Sequence, residues 1–283
     1  MTLALAPTLS LATELPAALL AHAAPIHRAG LLEVRLAASE AEIAAAQALR
    51  YAIFYDEMGA LPTPAMARVR RDIDAYDMVC DHLLVIDHAN ALRPRVVGTY
   101  RLLRQDVAMA NGGFYSAGEF DLSALIDQSG PGRQLLELGR SCVAPEWRTS
   151  ATISLLWRGI ATYLAQHGIG HLFGCASLHG ADETLHLAEL SWLYHNHLAP
   201  PSLRASALPP TCVEMNRLDA AAIDGRAASR ALPPLLKGYL RVGAMVGDGG
   251  FVDRQFNTVD VFVVMPVDRI TSRYAERFGA AND

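Results

Sequence analysis

Hydrophobic spacing changes period several times along the chain. Ser39 and Glu42 form an S-x-x-E capping signature, and Ile43, Ala46, Ile53 and Phe54 follow at helical spacing. This predicts a helix to about Met58, closed by Gly59 and Pro62. Residues 62–71 read as a loop. His82–Asp87 and Val96–Leu103 read as strands about a polar turn at Asn90–Pro94. A short helix near Leu122–Ile126 lies between loops at Asn111–Gly113 and Gly130–Gly132. Leu135–Val143 then reads as a strand, Thr152–His167 as an amphipathic helix ended by Gly168, and Ile169–Ala176 as another strand. That order implies two strands of one sheet joined by a helical crossover. Helices are expected at Asp182–Tyr194 and Pro233–Val242, a loop at Pro200–Pro210, a Gly-rich turn at Gly247–Gly250, and a β-branched strand at Thr258–Met265. No repeat or low-complexity linker divides the pattern. It reads as one mixed α/β domain over 31–278, with residues 1–30 as an extension.

The chain has 283 residues, 52% of them apolar, enough to bury a substantial core. Only 19% are charged, and the net charge of −5 excludes a broad nucleic-acid-binding surface. Lys237 is the only lysine, so the basic residues are nearly all arginine. The four cysteines form no CxxC pair, which fits reduced thiols in a cytosolic protein. Residues 1–24 are rich in Leu and Ala, and Ala21-His22-Ala23 imitates a signal-peptidase site. No Lys or Arg precedes Arg28, however, and Pro7, Glu14 and Pro16 interrupt the apolar run. The segment reads as a disordered extension or an interfacial anchor on a membrane. No apolar stretch of about 18 residues predicts a spanning helix.

Glu137 lies inside the apolar strand Leu135-Leu-Glu-Leu-Gly-Arg140. It is either an edge-strand carboxylate facing water or a partly desolvated one suited to take a proton. Regular alternation puts Arg140 on the opposite face, and Gly139 could host a bulge that re-aims one of the two. The turn Glu146–Thr152 opens a helix and carries Arg148. It suits a phosphate, or is simply a capped helix with a surface arginine. It lacks the Walker lysine. Asp72, Asp74, Asp77 and Asp81 crowd together as a cation pocket, a metal site or a solvated loop, without the glycine of an EF-hand. His82 and Asp87 spell H-x4-D along a strand, where they face opposite ways and form no catalytic pair. The histidines adopt no metal-binding spacing, and no G-x-S-x-G elbow appears. No metal is expected.

Together, Arg50-x3-Phe54, Asp74-x2-Asp77, Gly98-x2-Arg101 and Glu137-x2-Arg140 occur in the order seen in the autoinducer synthases, which the chain resembles. These are acyl-homoserine lactone synthases of the GNAT acyltransferase superfamily. The tryptophan that this branch carries near Ala60, associated with S-adenosylmethionine, is missing here. A sister family, the ornithine-lipid N-acyltransferases, is more similar still. The likeness rests on Leu136–Val143, Leu155–Ile160, Leu172–Ser177, Pro233–Val246 and Phe256–Val264, and covers approximately Leu31 to Phe278. It implies an α/β GNAT-like fold: a mixed, mostly antiparallel central sheet with a splayed pair of strands, flanked by helices. It also implies transfer of a 3-hydroxyacyl group from acyl-carrier protein to the α-amine of ornithine, with no bound cofactor beyond the donor's phosphopantetheine thioester.

On that resemblance Glu137 is the expected base and Arg140 its support. Ser141, Cys142 and Val143 line the thioester carbonyl, with Cys142 a core residue rather than a nucleophile. Arg148, Thr149, Ser150, Ala151 and Thr152 receive the phosphopantetheine phosphate, and Arg148, Arg158 and Arg241 offer charge to the acidic carrier. Asp74, Asp77 and Asp81 either bind the acceptor's side-chain ammonium or pair with Arg50 and Arg101 in an internal ion network. The expected location is cytoplasmic, peripheral on the inner face of the membrane. The rival readings are an N-acyl amino acid synthase with another acceptor such as glycine, an acyl-homoserine-lactone synthase, an acetyl-CoA-dependent acetyltransferase, and a non-enzymatic membrane-binding lytic protein.

Overall fold

The computed structural model describes residues 13–14 and 25–269, so most of the N-terminal extension lies outside the described residues. The principal elements are β1 (His27–Ala29), β2 (Leu32–Leu36), α1 (Glu40–Tyr51), β3 (Asp81–Asp87), β4 (Arg95–Arg104), β5 (Gln134–Val143), α2 (Ser150–His167), β6 (Ile169–His179), α3 (Leu187–His197), α4 (Pro234–Arg241), β7 (Met245–Asp253) and β8 (Thr258–Pro266). They fall into two compact units. One takes in the chain up to residue 77 with 81–101 and 140–163; the other takes in 78–80, 102–139 and 164 onward. Strands β4 and β5 and helix α2 contribute residues to both.

In the first unit, β1 and β2 form a hairpin around Gly30, whose φ of +60° a glycine adopts without strain. β2 pairs antiparallel with β3 from Leu32–Asp87 to Leu36–Leu83. Thr13 and Glu14 pair with Val96 and Arg95 of β4. The sequence pattern missed β2 because its charged residues point inward: Glu33 and Arg35 are both buried, and Arg35 Nε donates to Glu33 at 2.9 Å. Helix α1 begins as expected, with Ser39 accepting from the Glu42 amide at 3.3 Å. The Glu42 carboxylate accepts from the Ala38 amide at 2.7 Å and from Arg35 at 2.6 and 3.0 Å. Ala46 and Ile53 are buried, whereas Ile43 and Phe54, expected beside them, are half-buried. Part of the reason is that α1 ends at Tyr51 and a π-helical segment, Ala52–Glu57, follows. The wider turn shifts the buried face. Residues 62–71 are not all loop. Thr63 caps a helix at Pro64–Val69 by accepting from the Met66 amide at 3.2 Å, with Pro64 in the first turn.

In the second unit the strand order is β5, β6, β8, β7, then Ser206–Ala207 and Phe120–Asp121. β6–β8 and β8–β7 are antiparallel. β5 and β6 are parallel, as the intervening helix requires. The glycines read as a turn at 247–250 lie inside β7, where the register slips between Val246 and Gly250. A Cβ on Gly247 would sit 2.6 Å from the Ala205 carbonyl, and Gly249 has φ +81°. They mark a bulge and a close backbone approach rather than a reversal.

The β5–β6 register runs only from Gln134–Ile169 to Glu137–Phe173. The next residue of β6, Gly174, lies so near β5 that an added Cβ would be 2.3 Å from the Leu138 carbonyl oxygen. Gly174→Ala is therefore expected to destabilise the protein by about 1–3 kcal/mol, as overpacking against rigid backbone does. Gly238→Ala, in helix α4 with nothing within 4 Å of the new methyl, should stabilise by about 0.5–1 kcal/mol. Thermal unfolding of the two variants checks both signs.

Candidate active site

The strand pairing ends at a carboxylate. Glu137 is 4% exposed, and its oxygens accept from the Tyr115 amide at 2.8 Å, the Ser116 amide at 2.7 Å and the Ser116 hydroxyl. These three bonds fix the position of a carboxylate, a group that can act as a base. Phe114 anchors the donor segment by packing edge-on against Phe173 at 4.8 Å. The 114–119 stretch had no motif to announce it. Its only signal was placement between two Gly-marked loops, with two aromatic residues and a serine.

Ser116 Oγ also contacts Cys175 Sγ at 3.4 Å, and Cys175 donates to Glu119 at 3.2 Å. Burial, followed by the negative fields of Glu119 and Asp260, pushes the Cys175 thiol well above its usual range, so it stays protonated. Cys175 borders a small, partly open apolar pocket lined by Leu138, Leu172, Phe173, Tyr239, Val263 and Met265. Leu138, the residue after Glu137, is the one that β5 contributes to this pocket. Among the described residues, one group of acids brings its oxygens close enough to share a cation: Glu119, Asp253 and Asp260, within 4.8 Å of one another.

The remaining site candidates belong to the first unit. Arg50 is buried and binds Asp72 at 2.7 Å and Asp77 at 2.8 Å. Arg101 binds Asp74 at 2.6 Å and Asp77 at 3.3 Å. Arg140 binds Asp72 and Asp74, each at 3.2 Å. Three arginines and three aspartates therefore balance one another. Asp81 stands outside this network and accepts from Tyr163 at 2.5 Å. Arg140 itself has φ +50°, so the irregularity expected at Gly139 falls one residue later.

Arg148 carries a carboxylate partner in place of the open charge expected of a phosphate site. It binds Glu57 in bidentate fashion at 2.6 Å and the Val143 carbonyl at 3.0 Å. Thr149 caps α2, accepting from the Thr152 amide at 3.3 Å; Ser150 and Ala151 are exposed. Ser141 and Val143 are half-buried, while burial pushes the Cys142 thiol up to about 12, a value that suits a core residue. Arg158 is exposed beside His27. His82 is buried with Nε2 at 3.0 Å from the Asp77 carbonyl, and Asp87 accepts from the Ala89 amide.

Burial alone would raise the Asp77 carboxyl, but Arg50 and Arg101 hold it well below the usual carboxylate range. A lowered native pKa gives stability that is fully present above the unfolded value of about 3.9 and is lost as pH falls from there toward the lower native value. Asp77→Asn is expected to cost about 3–5 kcal/mol at neutral pH, because it leaves buried arginine uncompensated. It should also lose less stability than the parent as pH falls below about 4, where the parent's unfolded chain takes up a proton at this carboxyl that its native state does not. Urea unfolding across pH measures both, and equal acid slopes would contradict the assignment.

Over residues 49–158 the chain matches the Acetyltransferase (GNAT) domain family. It is 50% identical to the L-ornithine N(alpha)-acyltransferase of Agrobacterium fabrum over 255 residues, covering 89% of this chain and 86% of that protein. It is 44% identical to the protein of the same name from Rhodobacter capsulatus over 252 residues, covering 86% and 93%. A solved structure of the CoA-dependent acyl-homoserine lactone synthase BjaI, with SAM and isopentyl-CoA, aligns at 15% identity and a TM-score of 0.45, over 85% of this chain and 83% of that one. The fold is mixed α/β and GNAT-like, with a mostly antiparallel sheet flanked by helices, and by its relatives the chain belongs to the L-ornithine N(alpha)-acyltransferase family.

Proposed function

We propose that this protein transfers a (3-hydroxy)fatty acyl group from acyl-carrier protein to the α-amine of L-ornithine, giving lyso-ornithine lipid. The acceptor is taken from the names of the relatives, and the reading of the chemistry rests on one observation: the buried carboxylate of Glu137, held by two backbone amides and a hydroxyl. An α-amine is mostly protonated at neutral pH and cannot attack in that form. Glu137, directly or through water, takes one of its protons. The neutral nitrogen then bonds to the thioester carbon, the carbon–sulfur bond breaks, and the amine's second proton goes to the departing sulfur.

Ser141–Val143, next along β5, are the candidates for holding the carbonyl as it gains charge. The donor's phosphate is assigned to Arg148 and Thr149–Thr152, which requires Glu57 to release Arg148 when the donor arrives. The protonated Cys142 supports direct attack without a covalent enzyme intermediate. Among the described residues no helix is long and apolar enough to cross a membrane, so any contact with the greasy product's membrane is assigned to the surface. The missing tryptophan near Ala60 weighs against S-adenosylmethionine as acceptor.

Purified protein given 3-hydroxyacyl–carrier protein and a panel of ornithine, glycine and S-adenosylmethionine should form amide with ornithine. Amide with S-adenosylmethionine or glycine and none with ornithine overturns the acceptor, and efficient turnover of acetyl-CoA overturns the donor. Glu137→Gln should lower kcat by at least about 10²-fold, the usual contribution of a positioned base. Unchanged turnover in a folded Glu137→Gln variant removes Glu137 from the reaction.

A further inference from the structure

Two consecutive helices of the second unit gather positive charge that no acid balances. From Gly225 to Gly247 the chain holds Arg226, Arg230, Lys237 and Arg241 and no Asp or Glu, although its net charge is −5. Asp224 caps the first helix, Gly225–Ala231, accepting from the Arg226 and Ala227 amides at 3.0 and 3.1 Å. Beyond its other end, Lys237 of α4 returns to it: Nζ donates to the Arg230 carbonyl at 2.9 Å, while Arg230 Nε donates to the Arg226 carbonyl at 3.2 Å. Arg226 and Arg230 are exposed and stand one turn apart on one helix face, where like charges repel. Backbone carbonyls hold these groups together, and none of the three meets a carboxylate among the described residues. The carbonyl end of a helix offers roughly half a negative charge, far short of three positive ones. The opposite face of α4 looks inward. Leu236 and Tyr239 are buried, and Tyr239 lines the small apolar pocket with Leu138 of β5 and Phe173 of β6.

We infer that Arg226, Arg230 and Lys237 form the surface on which the acidic acyl-carrier protein docks. The inference rests on the donor reading above and names the part of the protein that receives that donor. A carrier brings negative charge on its own surface and an apolar group on its tether. Complementary charge steers and orients such a partner, and an apolar recess accepts what it carries. Helix α4 offers both, with Lys237 toward the basic cluster and Tyr239 toward the pocket. An anionic membrane would answer the charge alone. Helices that lie on a membrane also expose an apolar face, and Leu235 is the one large apolar side chain that these two expose among the described residues.

The test gives the full chain ornithine and one of two donors, 3-hydroxyacyl–carrier protein or the same acyl group on free pantetheine, and takes the ratio of their kcat/KM values. The parent should favour the carrier, by a margin that shrinks as salt rises from about 0.05 to about 0.5 M, because exposed charges are screened. The ratio should fall about 10-fold in the double variant Arg230→Glu/Lys237→Glu and about threefold in Arg226→Glu, mainly through the KM for the carrier. Because both rates come from one preparation, a reduced folded fraction cancels in the ratio. The Arg226 side chain makes no hydrogen bond among the described residues, so its variant carries the test should the double variant fail to fold. A parent that prefers the carrier, with variants that prefer it equally, overturns this inference and leaves the donor reading standing. A parent that uses free acyl-pantetheine as well as the carrier overturns the donor reading, and this inference with it. Variants that keep the parent's ratio but no longer sediment with vesicles of phosphatidylcholine and phosphatidylglycerol assign the cluster to a membrane and overturn carrier docking.

Discussion

A charge taken out of water costs several kcal/mol unless something in the interior compensates it, and this constraint organises both units. The first unit meets it with counter-ions. Arg35 lies between Glu33 and Glu42, and Arg50, Arg101 and Arg140 are interleaved with Asp72, Asp74 and Asp77. The second unit holds Glu137 with the amides of Tyr115 and Ser116 and with the Ser116 hydroxyl. The two solutions differ in consequence. A guanidinium fixes a carboxylate and neutralises it, which suits a scaffold. Amides and a hydroxyl fix a carboxylate's position through directed hydrogen bonds.

The acidic residues also differ in how they are brought together. Asp72, Asp74, Asp77 and Asp81 attract notice because they crowd together in sequence, yet closeness in sequence says nothing about their partners. Three of them meet arginines contributed by α1, β4 and β5, and the fourth meets Tyr163. Glu119, Asp253 and Asp260 come together only through the β7–β8 pairing and the crossing of the 114–120 segment. A cluster assembled by topology leaves no local signature, so the sequence drew attention to the first group of acids and away from the second.

Local signals served well where one physical cause dominated. The apolar run of Thr258–Met265 became β8, the S-x-x-E signature started α1, and the strand–helix–strand order yielded the parallel pair of β5 and β6. They failed where a residue answered to a distant neighbour. Glu33 and Arg35 disguised β2 by pairing with each other inside the core. Gly247 and Gly249 looked like a turn because their purpose, making room for the backbone at Ala205 and for a slip in register, lies across the sheet. Ser116, which completes the hold on Glu137, is one unremarkable serine in a loop until the fold brings β5 to it.

The Glu137-x-x-Arg140 spacing shows how much one motif can conceal. A regular strand would send the two side chains to opposite faces. Here Arg140 adopts φ +50°, a conformation costing a non-glycine residue roughly 1–2 kcal/mol. Charge-assisted bonds to Asp72 and Asp74, each at 3.2 Å, offset that cost. Glu137 belongs to the second unit and answers to Ser116; Arg140 belongs to the first and answers to its aspartates. The spacing thus records where β5 passes from one unit to the other. The arginine's ion pairs secure its own strained residue within the first unit.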